Sequence, residues 1–120
     1  MDHFLFIDEV TELKKNESVT AFFKLKGSEE FLSDHFPGFP VMPGVLLLET
    51  LKQAAVRMLP DGNYRLKDVK NVKFGQFVKP GAELQVQAQL VSREKDSFLC
   101  RGEIQTSGKR ALSAEITLAA

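Results

Sequence analysis

Apolar and polar positions alternate with a period of two over most of this chain and change to a helical pattern once. Between residues 19 and 26, Val19, Ala21, Phe23 and Leu25 fall on one face, with Thr20, Lys24 and Lys26 on the other; only Phe22 breaks the polar side. Leu84, Val86, Ala88 and Leu90 alternate with Glu83, Gln85, Gln87 and Gln89, the signature of a half-solvated antiparallel strand. Phe98, Cys100 and Ile104 continue the pattern, and Gly102 marks a bulge or a close approach of backbone. Leu112, Ala114, Ile116 and Leu118 form a last strand. Lys95-Asp96 and Ser107-Gly108 read as hairpin turns. Residues 69–78 predict a further strand interrupted near Gly75, and the apolar-rich stretch 4–13 fits a strand or a short helix. Residues 45–59 are different. They are unbroken by Gly or Pro and rich in Leu and Ala, which predicts a helix opened by Pro43-Gly44 and closed by Pro60-Asp61-Gly62. Apolar side chains cover most of its circumference, so it is expected to be buried nearly all round. One buried helix with about five or six antiparallel strands is an α+β domain.

The stretch between the first clear strand and the helix carries the candidate chemistry. Pro37, Pro40 and Pro43 lie within seven residues. Each fixes its own φ and biases the residue before it toward an extended shape, and Gly38 and Gly44 permit the turns between. A rigid loop can hold His35 at its edge in one place, as acid–base chemistry requires. Fourteen positions later, Glu49 puts a carboxylate among leucines in the helix. Gln53, one turn further on, is placed to orient it. A solitary histidine beside a Pro-Gly loop is more often structural than catalytic, and Glu49 could point to solvent from an incompletely buried helix, against which its flanks Leu46 to Leu48 and Leu51 speak. His3 lies near the start of the chain and is expected to do nothing particular.

Composition narrows the classes. With 120 residues, the chain is read as a single domain, 1–120. Lys plus Arg and Asp plus Glu both number 16, so no net field draws in nucleic acid. No apolar run approaches a membrane span, and the first residues lack the basic segment of a signal peptide. Cys100 is the only cysteine, which rules out an intrachain disulfide or a cysteine-based metal site and suits a cytoplasmic setting. Its inward strand position suggests core rather than nucleophile.

The string His35-Phe36-Pro37-Gly38, Pro40, Pro43-Gly44-Val45, Glu49, Gln53 resembles the 3-hydroxyacyl-acyl-carrier-protein dehydratases of the hot-dog fold. Lys73-Phe74, Val78, Pro80-Gly81 and Leu84 are similar to the same family, so the likeness covers most of the chain. It implies a sheet wrapped around a long central helix and a homodimer in which each active site takes its histidine from one subunit and its acid from the other. Trimers of dimers occur among relatives. The implied reaction removes water from a (3R)-3-hydroxyacyl thioester to give a trans-2-enoyl thioester, in fatty acid or related lipid or polyene biosynthesis. By that resemblance His35 takes or shuttles the C2 proton, and Glu49 protonates the departing hydroxyl or orients the water it becomes. The backbone N–H of Gly44 holds the thioester carbonyl, with Val45 and Gln53 in support. No metal or redox cofactor is implied; the substrate rides on the phosphopantetheine of acyl carrier protein or coenzyme A. Residue chemistry agrees. A neutral imidazole is a competent base near pH 7, a desolvated carboxyl favours its proton-donating form, and a helix N-terminal amide stabilises an enolate.

The acyl tail needs an apolar tunnel beside the helix, for which Leu48, Leu51, Phe74 and Phe77 are candidates. Two departures stand out. Asp34 replaces a usual glycine before the histidine, and Gly75-Gln76 replaces a basic pair associated with carrier docking. Lys70, Lys73 and Lys79, with Arg57 at the helix end, are expected to form a weaker, displaced docking patch. Two alternatives stay open: an acyl-thioester hydrolase on the same fold, and a non-catalytic subunit that binds acyl chains or carriers.

Overall fold

In the computed structural model, residues 7–25, 44–79 and 81–120 are described. Among the described residues six strands form one antiparallel sheet: β1 (Glu9–Lys14), β2 (Ser18–Lys24), β3 (Arg65–Phe74), β4 (Glu83–Glu94), β5 (Ser97–Thr106) and β6 (Lys109–Ala119). Their order across the sheet is β1-β2-β4-β5-β6-β3, so β1 and β3 are the edges. A single described helix, α1 (Gly44–Met58), lies against one face. This is the α+β, hot-dog arrangement expected from the sequence, with six strands. The ambiguous first segment is a strand from Glu9 onward.

The period-two patterns set which face meets the helix. Val19, Ala21, Phe23 and Leu25 are buried, as are Leu84, Val86 and Ala88 on β4 and Leu112, Ala114, Ile116 and Leu118 on β6. A one-residue slip would turn each of these sets to solvent, so burial pins the register. Two hairpins close as their residues suggest. Ser107 and Gly108 both have positive φ (53° and 75°), which suits a two-residue turn matched to strand twist, and Lys95 takes φ 49° in the β4–β5 turn.

Gly102 resolves as a close approach rather than a bulge. It sits in regular register between Ala88 on β4 and Ala114 on β6, and the β5 irregularity falls instead between Ile104 and Gln105. A Cβ on Gly102 would lie 2.2 Å from Leu51 Cδ1. Ala88, Gly102 and Ala114 thus form a low row across the sheet that lets α1 settle close, and Leu51 is wholly buried there.

The helix departs from expectation. It is not buried nearly all round: Leu46, Leu47, Thr50, Leu51, Ala54, Ala55 and Met58 are buried, whereas Leu48, Glu49, Lys52, Gln53 and Val56 are half-buried and Val45 is 69% exposed. The reason is geometric. A sheet covers one side of a helix, and the apolar residues on the other side stay partly exposed. Thr50, fully buried, satisfies its hydroxyl by donating to the Leu46 carbonyl at 2.8 Å. At the far end, the β1–β2 turn caps the helix. Asn16 N–H donates to the Met58 carbonyl at 2.6 Å, and Lys15 Nζ donates to that of Leu59 at 2.7 Å. A cation at a helix C-terminus complements the dipole there.

Candidate active site

Glu49 lies in the second turn of α1, on the side turned from the sheet, and is half-buried. Gln53 Nε2 donates to Glu49 Oε2 at 3.1 Å. The i, i+4 spacing places the pair on one helix face. An amide that donates to one carboxylate oxygen fixes the plane of the carboxyl and leaves the other oxygen free to exchange a proton. The helix starts at Gly44 with no acidic residue in its first turn, so its unsatisfied N–H groups keep their partial positive charge. His35 and Asp34 lie outside the described residues, as does the rest of the proline loop before Gly44.

The surroundings of Gly44 explain a glycine there. A Cβ would stand 2.8 Å from Cε1 and 2.9 Å from Cζ of the Phe74 ring, which therefore lies over the helix N-terminus. Phe74 is 56% exposed and Phe77 64%, and with Val45 they give this end of the molecule an open apolar lip. Of the four tunnel candidates, Leu48, Phe74 and Phe77 are accessible, while Leu51 is fully enclosed in the core contact with Gly102.

The expected docking patch is not brought together as drawn. Arg57 is in the last turn of α1, some 13 residues or about 20 Å along the helix from Gly44. Lys70 is four residues up β3 from Phe74, pairs opposite Glu115, and faces Asp68 at 3.7 Å. Strand and helix length carry both away from the helix N-terminus. Lys73 and Lys79 stay near that end and are exposed. Helical and strand spacing alone could not show this, because it depends on which ends meet.

A shallow polar trough of about 650 Å³ crosses the outer face of the sheet, lined among others by Thr20, Asn71, Gln87, Arg101, Glu103 and Glu115. These residues alternate with core positions, so the trough lies across the sheet from Glu49. Within it, the Asn71 amide and the Arg101 guanidinium both donate to Glu115 and hold its carboxyl below the usual range. It is hydrophilic and open, with nothing to hold an apolar acyl chain.

Cys100 is fully buried on β5, and burial pushes its thiol from 9.0 up to about 11. The thiolate is the reactive form, so the native protein should resist a thiol reagent such as dithionitrobenzoate at pH 8 and react fast once unfolded. Stoichiometric labelling of the native protein within seconds would contradict this burial. The native thiol pKa lies above that of the exposed group. Its burial therefore favours folding fully below about pH 9 and loses that contribution as pH climbs toward 11.

Comparison with known proteins agrees with this architecture. The family model of the ApeI-like proteins, described as ApeI dehydratase, matches residues 11–111. The 3-hydroxyacyl-[acyl-carrier-protein] dehydratase FabZ of Oceanobacillus iheyensis is 36% identical over 97% of this chain and 87% of its own length. The FabZ of Legionella pneumophila (strain Philadelphia 1) is 33% identical over 98% of this chain and 84% of its own. Among solved structures, the dehydratase heterocomplex ApeI:P from Xenorhabdus doucetiae superposes with a TM-score of 0.77 at 17% identity, over 96% of this chain and 82% of that one, a likeness of fold. With near full-length identity above 30%, a matching family model and the same helix-on-sheet fold, the chain belongs to the ApeI-like, FabZ-related family of hot-dog dehydratases.

Proposed function

We propose that this chain dehydrates (3R)-3-hydroxyacyl thioesters carried on acyl carrier protein, giving trans-2-enoyl thioesters for fatty acid or related lipid or polyene synthesis. The observation that carries the reading is the near full-length match to 3-hydroxyacyl-[acyl-carrier-protein] dehydratases. In the reaction, His35 removes the C2 proton and the electron pair forms the C2–C3 double bond. The C3–O bond breaks, and Glu49 supplies the proton with which the hydroxyl leaves as water. Charge that builds on the thioester oxygen is held by the Gly44 N–H at the positive end of α1. Gln53 positions Glu49, and Val45 borders the site. Leu48, Phe74 and Phe77 flank the acyl tail. The steps call on no metal or redox cofactor; phosphopantetheine is the substrate's own handle.

The working unit is a homodimer in this reading. The uncovered side of α1, with Val45, Leu48 and Val56, offers apolar surface, and the edge strand β3 offers unpaired backbone, for a second copy to cover. The ApeI:P neighbour is described as a heterocomplex, which makes a different chain the alternative cover. Light scattering of the purified protein separates them: a dimer supports the reading, and a monomer that turns over at full rate overturns it. The activity itself is tested with a 3-hydroxyacyl carrier-protein thioester. Growth of the ultraviolet absorbance of a conjugated enoyl thioester supports dehydration. Release of free thiol would mean hydrolysis, and neither signal would mean a binding subunit. A cytoplasmic setting accords with this substrate, and no described helix is long and apolar enough to cross a membrane.

A further inference from the structure

Strand β3 changes phase partway along. Val69 sits opposite Ile116 and packs against the core, and Phe74 sits opposite Leu112 with its ring against Gly44 of α1. Both therefore face the helix. In an unbroken strand, two residues five apart face opposite ways. The extra residue lies between them: Lys70 pairs with Glu115 and Lys73 with Ser113, so Asn71 and Val72 together oppose Ala114. A bulge of this kind reverses the alternation beyond it. It sends Lys73 to the outer trough and Phe74 to the helix side. Past the bulge the new phase is locked. The Gly75 N–H donates to the Ala111 carbonyl at 2.9 Å and that of Gln76 to the Arg110 carbonyl at 2.8 Å. A Cβ on Gly75 would meet the Arg110 carbonyl oxygen at 2.2 Å, so the two strands close tightly there.

Asn71 makes the bulge possible. Its φ is 54°, in the left-handed region that asparagine tolerates better than most residues with a Cβ. The other described non-glycine residues with positive φ, Asn16, Lys95 and Ser107, all lie in turns; Asn71 has it within a strand. Its side chain is tied down on the outer face of the sheet. The amide donates to Glu115 Oε1, and the Arg101 guanidinium donates to Glu115 Oε2 at 3.2 Å, so groups from β3 and β5 meet on one carboxylate of β6. Exposed contacts of this kind add little stability. What they fix is the point at which β3 reverses its faces.

We propose that Asn71 is a positioning residue of the active site that acts through Phe74: its left-handed backbone, braced by Glu115 and Arg101, supplies the phase change that brings the Phe74 ring to Gly44. The effect on rate rests on the dehydratase reading, in which the Gly44 N–H holds the thioester oxygen. An aromatic ring beside that amide limits the water that would compete for the developing charge. A hydrogen-bond network on the outer face of the sheet thus sets geometry on the inner one, without itself touching substrate.

The test compares the full chain with Asn71→Val, Asn71→Gly, Glu115→Ala, Phe74→Ala and the double variant of Asn71→Val with Phe74→Ala. A β-branched side chain resists positive φ, whereas glycine adopts it freely. Asn71→Val should lower kcat on a 3-hydroxyacyl carrier-protein thioester roughly tenfold, as displacing a group beside the chemistry does. Asn71→Gly should restore most of that loss. In the Phe74→Ala background, Asn71→Val should cost nothing further, because the side chain it acts through is gone. Losses that simply multiply overturn the proposal and leave Asn71 a structural residue. A second readout needs no activity: the nuclear Overhauser contact between the Gly44 α-protons and the Phe74 ring. It should be present in the wild type and in Asn71→Gly and lost in Asn71→Val; its survival in Asn71→Val overturns the proposal. If Asn71→Val does not fold, Glu115→Ala decides, since it removes the brace and leaves β3 itself unaltered: a weakened contact supports the proposal and an unchanged one overturns it. Should the wild type fail to dehydrate the thioester, the dehydratase reading fails separately, and the same Overhauser contact still decides whether Asn71 positions Phe74.

Discussion

Glu49→Gln should lower kcat by roughly a hundredfold to ten-thousandfold, the range expected when a general acid is removed, while the protein folds as before. The substitution keeps shape and volume on a helix position that is only half-buried, and an amide can still receive the Gln53 hydrogen bond at its oxygen. What it cannot do is deliver a proton to the leaving hydroxyl. Gln53→Leu should show a smaller fall, because it frees the carboxyl plane without removing the acid. The measurement is steady-state enoyl formation beside a denaturation curve for each variant. Near-normal turnover by Glu49→Gln would remove this residue from the chemistry, and His35→Ala would then be the variant that decides whether any acid–base pair operates.

Gly102→Ala should destabilise the fold by about 1–3 kcal/mol, the usual range for forcing extra volume into a packed core. The added methyl would fall within 2.2 Å of Leu51 Cδ1 and 2.9 Å of Leu51 Cδ2, at the centre of the contact between α1 and the sheet. Neither side can retreat freely: Gly102 is fixed by ladders to β4 and β6, and Leu51 is enclosed. Leu51→Ala alone should cost about 2–5 kcal/mol through the cavity it leaves. Together the two should cost clearly less than their sum, because the new methyl enters the space that the leucine vacates. Denaturant midpoints on the four members of this cycle give the coupling directly. Strict additivity would show that the close approach is not what glycine serves at this position.

The two predictions depend on different kinds of knowledge. The strand faces were legible because half-burial leaves a period of two in the chain, and Val19, Ala21, Phe23 and Leu25 or Leu84, Val86 and Ala88 could hardly face both ways. The helix was legible from its length and composition, its capped start at Gly44 and its stop before Pro60. The pairing of Glu49 with Gln53 followed from the pitch of a helix. All of these are local, set by bond geometry and by whether a side chain prefers water.

What local pattern could not decide was which segments meet. Gly102 announced either a bulge or an approach, and only the packing of Leu51 chose. The apolar far side of α1 read as buried, since a sequence does not say how many faces of a helix one sheet can cover. Lys70 and Arg57 looked close to the site by residue number and lie away from it, because a strand and a helix each carry their ends apart. Arg110, thirty-five residues from Gly75 along the chain, is beside it in space through the β3–β6 pairing. The residue types were sufficient to name the chemistry; the tertiary contacts decide where apolar lip and carboxylate come to share one end of the molecule.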